Sequence, residues 1–394
     1  MLEDNRNQMW EMSKQVLRDS ALENGALVAA NGLFLPPTAT PYHFVWGRDA
    51  SKQLLAAHAL QFDEAPKIRE NFLRWIVRCV PGGDTERLLV KRNHINGPND
   101  FLYNDDRGFQ PDNNGALITA IDATRSANAS IDDHVIQLLA NGLASKWSLS
   151  SKTFIMRQQD LWENTTIEAG DNNFFTHALF ASAYGLTRAA ISQKRKVAPY
   201  VTEQWQLVAA QMYEHLFSEQ ATYEGYYYKK LYPVHDEQRQ LDSALTLVIH
   251  ESIPISVPPR VIQAATNTIH KIGNELLWLP YGARRYVGDI YDGIERYDGS
   301  QSIAGAWPLL GYSWVRAARQ VGFIDLADKV QDQIDAKLSE LYSNNIIPKF
   351  RVPEQLHPDG DSRNGLGPMH FAWGSSEWVM TEKDRRDRLI SNAK

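Results

Sequence analysis

Residues 302–343 read SIAGAWPLLGYSWVRAARQVGFIDLADKVQDQIDAKLSELYS, and this stretch carries the pattern that decides the fold. Apolar residues recur every three or four positions on both sides of Gly322, which is the spacing of one buried face on an α-helix. Glycine favours the end of a helix and a tight connection to the next one. The stretch therefore predicts two helices, over 302–320 and 323–343, that form a hairpin.

The same periodicity continues along the chain and predicts about twelve helices with little convincing strand. The other predicted helices are 3–24, 49–62, 64–80, 114–128, 131–147, 172–190, 195–218, 239–250, 258–276 and 368–391. Short connections alternate with long ones, over 29–48, 81–113, 148–171, 277–301 and 344–367. Helix pairs packed around a closed ring place short turns at one end and long loops at the other. We therefore expect an all-α fold whose long loops carry a binding site.

The composition describes a globular protein with a large core, since 43% of the 394 residues are hydrophobic and the formal net charge is −6. An acidic excess without a run of Lys and Arg argues against a nucleic-acid partner. The sequence predicts no membrane span, which needs ~20 apolar residues, and no secretory signal. Cys79 is the single cysteine, so we expect a buried thiol, no intramolecular disulfide and a cytoplasmic protein. One domain over 1–394 is expected, and the oligomeric state is not predicted.

Aromatic residues are concentrated in and beside the long loops. They are Trp46, Trp162, Trp307, Trp373, Tyr42, Tyr103, Tyr281, Tyr286, Tyr291 and Tyr297. For any single one, burial in the core is the simpler explanation. As a group mixed with Arg, Asp, Asn and Gln, they suit a sugar, which offers apolar C–H faces and a rim of hydroxyl groups.

The sequence Gln159-Asp160-Leu161-Trp162-Glu163-Asn164 offers a candidate proton donor in Glu163. An apolar ring beside a carboxyl disfavours its charged form, which a glycosidase requires of the acid that protonates the leaving oxygen. The alternative is a helix cap, because Asp160 and Glu163 also have capping-box spacing. Residues 164–173 are polar and lack a helical apolar stripe, so such a cap would have no helix to begin.

Two further loops carry candidate functional residues. Glu354 lies off any helical stripe, and the alternative for it is a solvated loop acid. Asp49 lies at the start of a predicted helix, where it would serve as an N-cap. Arg48, close behind Trp46, is not explained by helix formation. A fixed Arg/Asp pair can donate to and accept from neighbouring hydroxyl groups of one sugar ring.

Five motifs, in order along the chain, resemble those of glycoside hydrolase family 15, the glucoamylases. They are Tyr42-His43-Phe44-Val45-Trp46-Gly47-Arg48-Asp49, Asp160-Leu161-Trp162-Glu163, Arg296-Tyr297 with Ala306-Trp307-Pro308-Leu309, Pro353-Glu354-Gln355, and Phe371-Ala372-Trp373. The resemblance implies an (α/α)6 barrel of six helical hairpins and an inverting hydrolase that removes glucose from non-reducing ends. It also implies that Glu163 is the general acid and Glu354 the general base. The implied sugar-binding residues are Tyr42, Trp46, Arg48, Asp49, Trp162, Arg296, Trp307 and Trp373, with Gln110 and Asp112 from a looser match over 110–115.

The chain departs from the family pattern at Asn164, because members often carry a second acid after the general acid. We expect no β-sandwich or starch-binding domain, and neither a metal nor an organic cofactor, since the 11 His residues show no paired zinc-ligand spacing. The expected substrate is an α-glucan or gluco-oligosaccharide, with short oligosaccharides favoured. The same fold and acids also suit α,α-trehalose or α-1,6 linkages, or a sugar-binding or regulatory domain without turnover.

An inverting mechanism needs room for a water between the carboxyl groups. They are then ~6.5–9.5 Å apart, against ~5–5.5 Å in a retaining enzyme. Glu168 is the alternative donor to Glu163, and Glu377 is the alternative base to Glu354.

Overall fold

Twelve α-helices lie in the part of the chain that the structure, a computed structural model, describes. That part comprises residues 2–31, 42–79, 95, 109–126, 130–232, 239–252, 257–291, 304–357, 368 and 371–392. The helices are α1 (Leu2–Ser20), α2 (Gly47–Leu60), α3 (Ala65–Cys79), α4 (Asp112–Ala123), α5 (Ser130–Ser145), α6 (Thr176–Gln193), α7 (Pro199–Leu216), α8 (Ala244–Ser252), α9 (Pro259–Glu275), α10 (Pro308–Gln320), α11 (Ile324–Ser343) and α12 (Ala372–Asn392).

The even-numbered helices form a closed inner ring. Each of α2, α4, α6, α8 and α10 packs against the next even-numbered helix, and α12 packs against α2 to close the ring. The odd-numbered helices lie outside, where α3 packs against α5, α5 against α7, and α1 against α11 and α12. This arrangement is an (α/α)6 barrel, as the sequence analysis predicted.

The predicted helices correspond one to one with those of the structure, and their ends differ by a few residues. Gly322 has a φ of +95° and separates α10 from α11 as predicted, because glycine adopts this left-handed conformation at little steric cost. Cys79 is buried, as predicted, and burial raises the pKa of its thiol to about 12. Among the described helices, none combines the length and apolar character that a membrane span requires.

The prediction that Asp49 is the N-cap of α2 is wrong. The helix begins at Gly47, and its N-cap is Trp46, whose side chain makes no capping hydrogen bond. The side chain of Asn113 on α4 takes over part of this role, since its Oδ1 accepts a hydrogen bond from the backbone N–H of Arg48 at 3.0 Å. Asp49 therefore lies inside the first turn, and capping does not account for it.

Close packing of α4 against α6 depends on two glycines. A Cβ atom added to Gly115 would lie 2.2 Å from the carbonyl oxygen of Ala181, and one added to Gly185 would lie 2.6 Å from the Cα of Gly115. Since neither contact is possible for a real Cβ, only glycine permits this approach. The two glycines therefore allow α4 and α6 to pack at short distance within the inner ring.

In the described part of the chain, three short antiparallel ribbons lie between helices, and none of them was predicted from the sequence. They are β1 (Trp147–Ser148) with β2 (Thr153–Phe154), β3 (Gln158–Gln159) with β4 (Thr166–Ile167), and β5 (Leu277–Trp278) with β6 (Gly282–Ala283). Strands of two residues are too short to show the alternating pattern by which strands are recognised. The β3–β4 ribbon encloses residues 160–165, which we call the acid turn.

Candidate active site

Glu163 lies in the acid turn, half-buried. Asp160 shapes this turn, because its Oδ1 accepts hydrogen bonds from the backbone N–H groups of Asn164 at 2.8 Å and Thr165 at 2.9 Å. Asp160 therefore organises a turn and does not begin a helix. The indole Nε1 of Trp46 donates to Glu163 Oε1 at 3.2 Å, which fixes the orientation of the carboxyl group.

The backbone of Glu163 is held in an unfavourable conformation. Its φ is +63°, a left-handed value that costs a residue with a Cβ about 1–2 kcal/mol. Gln110 supports the turn from behind, since its Nε2 donates to the carbonyl oxygen of Asp160 at 2.6 Å. Gln159 donates from its side chain to the carbonyl oxygen of Glu163 at 3.0 Å. Gln110 is fully buried and contacts the main chain of the turn.

Glu354 lies in the loop between α11 and α12, and its side chain is buried. It is therefore not a solvated loop acid. The hydroxyl of Tyr42 donates to its Oε1 at 2.5 Å, and Oε2 has no hydrogen-bond partner among the described residues. Burial raises the pKa of Glu354 to about 8, while the Tyr42 hydrogen bond and the charge of Arg285 act in the opposite direction. The nearby acids Asp49 and Asp289 raise it further.

The two acids belong to one site. Tyr42 binds Glu354 and Trp46 binds Glu163, and the ring centroids of Tyr42 and Trp46 are 6.4 Å apart. Tyr291 also lies near both acids. Burial raises the pKa of its phenol, and the negative charges of Glu354 and Glu163 raise it further. The Tyr291 and Tyr42 hydroxyl oxygens are 2.5 Å apart.

Arg48 and Asp49 enter the same site from the first turn of α2. Arg48 Nη1 donates to Asp112 Oδ2 at 2.8 Å, and its guanidinium carbon lies 5.2 Å from the ring centroid of Trp373. Burial raises the pKa of Asp49 to about 7, and the charge of Arg48 opposes this shift. Asp112 thus holds Arg48 from α4, while Asp49 is a desolvated acid close to Glu163.

Aromatic rings form a cluster around the candidate site. Of the rings grouped in the sequence, Tyr281 packs against the main core instead, and Tyr103 and Tyr297 lie outside the described residues. The cluster contains Trp46, Trp162, Tyr286, Trp307, Phe371 and Trp373, with Tyr42 and Tyr291 packed against it. The rings of Trp162 and Trp307 are 5.7 Å apart. Trp307 precedes α10 and Trp373 lies in the first turn of α12. Several inner helices therefore place an aromatic residue at the same end of the barrel.

Arg285 lies among the residues of the candidate site and was not predicted from the sequence. It forms a bidentate ion pair with Asp289 at 2.7 and 2.5 Å. Its guanidinium carbon also lies 4.8–5.6 Å from four ring centroids, those of Trp162, Tyr286, Tyr291 and Trp307. The dipeptide Arg-Tyr occurs at 285–286 and again at 296–297, and only the second was predicted to contribute to the site. Arg296 lies outside the described residues.

Asp242 and Lys229 support the acid turn and were also missed. The indole Nε1 of Trp162 donates to both carboxyl oxygens of Asp242, at 2.8 and 3.0 Å. Burial raises the pKa of Asp242 to about 6, with the charge of Lys229 acting against it. Lys229 Nζ lies 2.7 Å from Asp160 Oδ2. These pairs join segments that are distant in sequence, and no spacing in the chain indicates them.

The family model of the glycosyl hydrolases family 15 matches residues 94–348. The chain belongs to this family. Its fold is similar to a glucoamylase from Saccharomycopsis fibuligera, with a TM-score of 0.70 and 12% identity over 98% of this chain and 96% of that one. It is also similar to a glycosidase in complex with glucose, with a TM-score of 0.69 and 16% identity over 97% of each chain. A bacterial glucoamylase complexed with acarbose gives a TM-score of 0.65 and 17% identity, over 97% of this chain and 56% of that chain.

No curated protein sequence matches this family 15 glycoside hydrolase. Within the described residues, no group of three or more His, Cys, Asp or Glu side chains is placed to hold a metal ion.

The two alternative acids of this family 15 hydrolase have other surroundings. Glu168 is exposed and lies 3.1 Å from Arg157. Glu377 is fully buried inside the barrel, where it is 3.3 Å from Lys52 and 3.5 Å from Arg316. A surface ion pair and a double ion pair in the barrel interior account for these two residues, which favours Glu163 and Glu354 as the reacting acids.

Proposed function

We propose that this family 15 hydrolase is an inverting, exo-acting α-glucosidase of the glucoamylase type. It releases glucose from the non-reducing ends of α-gluco-oligosaccharides. One observation carries the proposal: Glu163 and Glu354 come from two distant loops and are fixed by the neighbouring rings Trp46 and Tyr42. Two acids at one sugar site are the groups that glycoside hydrolysis requires.

Glu163 is the general acid. Its half-buried position in a turn lets it reach a glycosidic oxygen, and the Trp46 indole holds one carboxyl oxygen. The other oxygen carries the proton, which passes to the leaving oxygen as the bond to the anomeric carbon breaks. Positioned acid catalysis of this kind contributes typically ~10²–10⁴-fold in rate.

Glu354 is the general base. Its Oε1 accepts the Tyr42 hydroxyl, so Oε2 is the atom that takes a proton from the attacking water. The base must be ionised, and the two groups that favour its carboxylate against burial are Tyr42 and Arg285. After turnover Glu163 is ionised and Glu354 is neutral, and exchange with solvent restores both.

The remaining residues bind the sugar. Arg48 with Asp49 and Arg285 with Asp289 offer donors and acceptors to hydroxyl groups, as fixed Arg/Asp pairs can. Asp49 and Glu354 also place negative charge near the developing oxocarbenium ion. The sugar-facing rings are Tyr42, Trp46, Trp162, Trp307 and Trp373. Gln110 and Asp112 act indirectly, by holding the acid turn and Arg48. Arg296 remains a proposed sugar-binding residue.

The test is product analysis with maltose, maltoheptaose, isomaltose and α,α-trehalose. We expect glucose as the first product from maltoheptaose, in the β-anomeric form by rapid NMR, because water attacks the face opposite to the leaving group. Release of intermediate oligomers or of the α-anomer would contradict the proposal. Faster hydrolysis of trehalose or isomaltose than of maltose would assign the same acids to a different linkage.

A further inference from the structure

Lys229 is a buried cation next to the acid turn. Its side chain is 6% exposed, and its backbone is anchored on both sides. The N–H of Lys229 donates to the carbonyl oxygen of Gln240 at 2.9 Å, and its carbonyl accepts the N–H of Thr176, the first residue of α6, at 3.0 Å. Lysine is almost never fully buried unless it is paired, so the partners of this side chain indicate its role.

The ammonium group contacts the acid turn directly. Lys229 Nζ is 2.7 Å from Asp160 Oδ2 and 3.3 Å from Thr165 Oγ1. These two residues are the first and last of the turn. Since Asp160 Oδ1 binds the backbone N–H groups of Asn164 and Thr165, the same carboxylate joins Lys229 to the main chain that carries Glu163.

Lys229 also lies beside the groups that hold the two neighbours of Glu163. Its charge acts on Asp242, whose carboxylate binds the Trp162 indole. Its Nζ lies 4.8 Å from the ring centroid of Tyr286, whose hydroxyl accepts a hydrogen bond from the side chain of Asn164. Three independent paths thus connect one ammonium group to residues 162–164.

We propose that Lys229 is the positioning residue for the catalytic acid, because its ammonium group pairs with Asp160 and fixes the acid turn so that Glu163 points at the leaving oxygen. This role rests on the proposed function. The left-handed φ of Glu163 adds to the demand for such a support, since disfavoured backbone conformations are held by their surroundings.

The test compares a poor leaving group with an activated one. Lys229→Met keeps the apolar stem of the side chain and removes the charge. We expect kcat for maltose to fall about 10²-fold, the loss typical of a misplaced catalytic group, while KM changes little. Hydrolysis of α-glucosyl fluoride should fall much less, because fluoride departs with little help from a proton. Lys229→Arg, which can still pair with Asp160, should recover most of the activity on maltose.

Lys230→Met is the matched control. Lys230 is the next residue in the chain and is also partly buried. The lysine that pairs with Asp160 is Lys229, however, so the control removes a neighbouring charge and keeps that ion pair. We expect the control to hydrolyse both substrates at close to the wild-type rates. Equal losses on both substrates in Lys229→Met, or no loss on either, would overturn the role of Lys229.

A double variant separates positioning from the cost of an unpaired buried charge. Asp160→Asn with Lys229→Met removes both charges, and an amide oxygen at position 160 can still accept the turn N–H groups. We expect this protein to fold and to keep the selective loss on maltose, whereas wild-type activity on maltose would overturn the proposal. If the wild-type protein hydrolyses neither substrate, the proposed function is wrong, and the role of Lys229 is wrong with it.

Discussion

Replacing Glu354 with Gln is expected to stabilise the folded protein while abolishing turnover. The folded structure holds this carboxyl group away from water, and burial raises its pKa from 4.5 to about 8. A pKa raised on folding stabilises the protein fully below the unfolded value, and the stabilisation is lost as the pH rises through the folded value. The wild-type protein therefore becomes less stable as the pH rises from about 4.5 to about 8. The Gln variant has a neutral amide at this position and does not undergo this loss.

The magnitude follows from the difference between the two pKa values. It is 8 − 4.5, or 3.5 units, and each unit corresponds to ~1.4 kcal/mol. Part of this difference develops below pH 5 and above pH 8, so the free energy of unfolding of Glu354→Gln relative to wild type should rise by about 3–4 kcal/mol between those two pH values. Gln keeps the shape of the side chain and the acceptor oxygen for Tyr42, so packing changes little.

The assay is equilibrium unfolding in denaturant, measured for wild type and variant at pH 5, 6.5 and 8. Glu377→Gln is the matched control, because Glu377 is equally buried but lies between Lys52 and Arg316. Removing one member of such a buried ion network should destabilise by about 3–5 kcal/mol. If Glu354→Gln follows the wild-type stability at every pH, then burial does not control the protonation of Glu354 and the reasoning is refuted.

The remaining predictions concern catalysis. Glu163→Gln should lower kcat for maltose by about 10²–10⁴-fold and should lower kcat for α-glucosyl fluoride much less. Near-normal hydrolysis of maltose by this variant would exclude Glu163 as the proton donor. The profile of kcat/KM against pH should be bell-shaped, with an acidic limb set by protonation of Glu354 above the usual range of a carboxyl group. Tyr291→Phe removes a hydroxyl that supports the donor to Glu354, so this limb should move to higher pH, and an unchanged limb would contradict the hydrogen-bond chain. Arg285→Ala should reduce kcat/KM of the folded enzyme and also lower the melting temperature, because it leaves the buried carboxylate of Asp289 unpaired. Arg284→Ala, the adjacent control, should keep kcat/KM near normal, and equal kinetics for the two folded variants would remove Arg285 from the sugar site.

The helices were predictable because each one has an apolar face that repeats over several turns. Features set by a single contact were not. Asp49 has the sequence context of a cap, yet Asn113 from another helix bonds to the first turn of α2. Arg285 stands in an Arg-Tyr dipeptide identical to the one at Arg296, and its contacts with Asp289 and the aromatic rings arise only from tertiary packing.

The acid turn shows the same limit for the site. The motif around Glu163 is visible in the sequence, but its supports are not. Lys229 and Asp242 follow the turn by many residues and reach it through side chains alone. Neither has a periodic or spacing signal, because ion pairs between distant segments depend on how the barrel closes.

The inner helices begin at or beside residues of the candidate site, as α2, α4, α10 and α12 show, and this has an electrostatic consequence. The first residues of these helices lie at the end of the barrel that holds the acids, so the positive ends of six peptide dipoles converge there, each equivalent to roughly +0.5 of an elementary charge. Their summed potential attracts electron-rich oxygen and opposes the mutual repulsion of Asp49, Glu354 and the neighbouring carboxylates. The field arises from the main chain, so no side-chain substitution at the rim removes it. The scaffold itself can therefore accommodate several buried acids close together, while the loops are free to vary in what they bind.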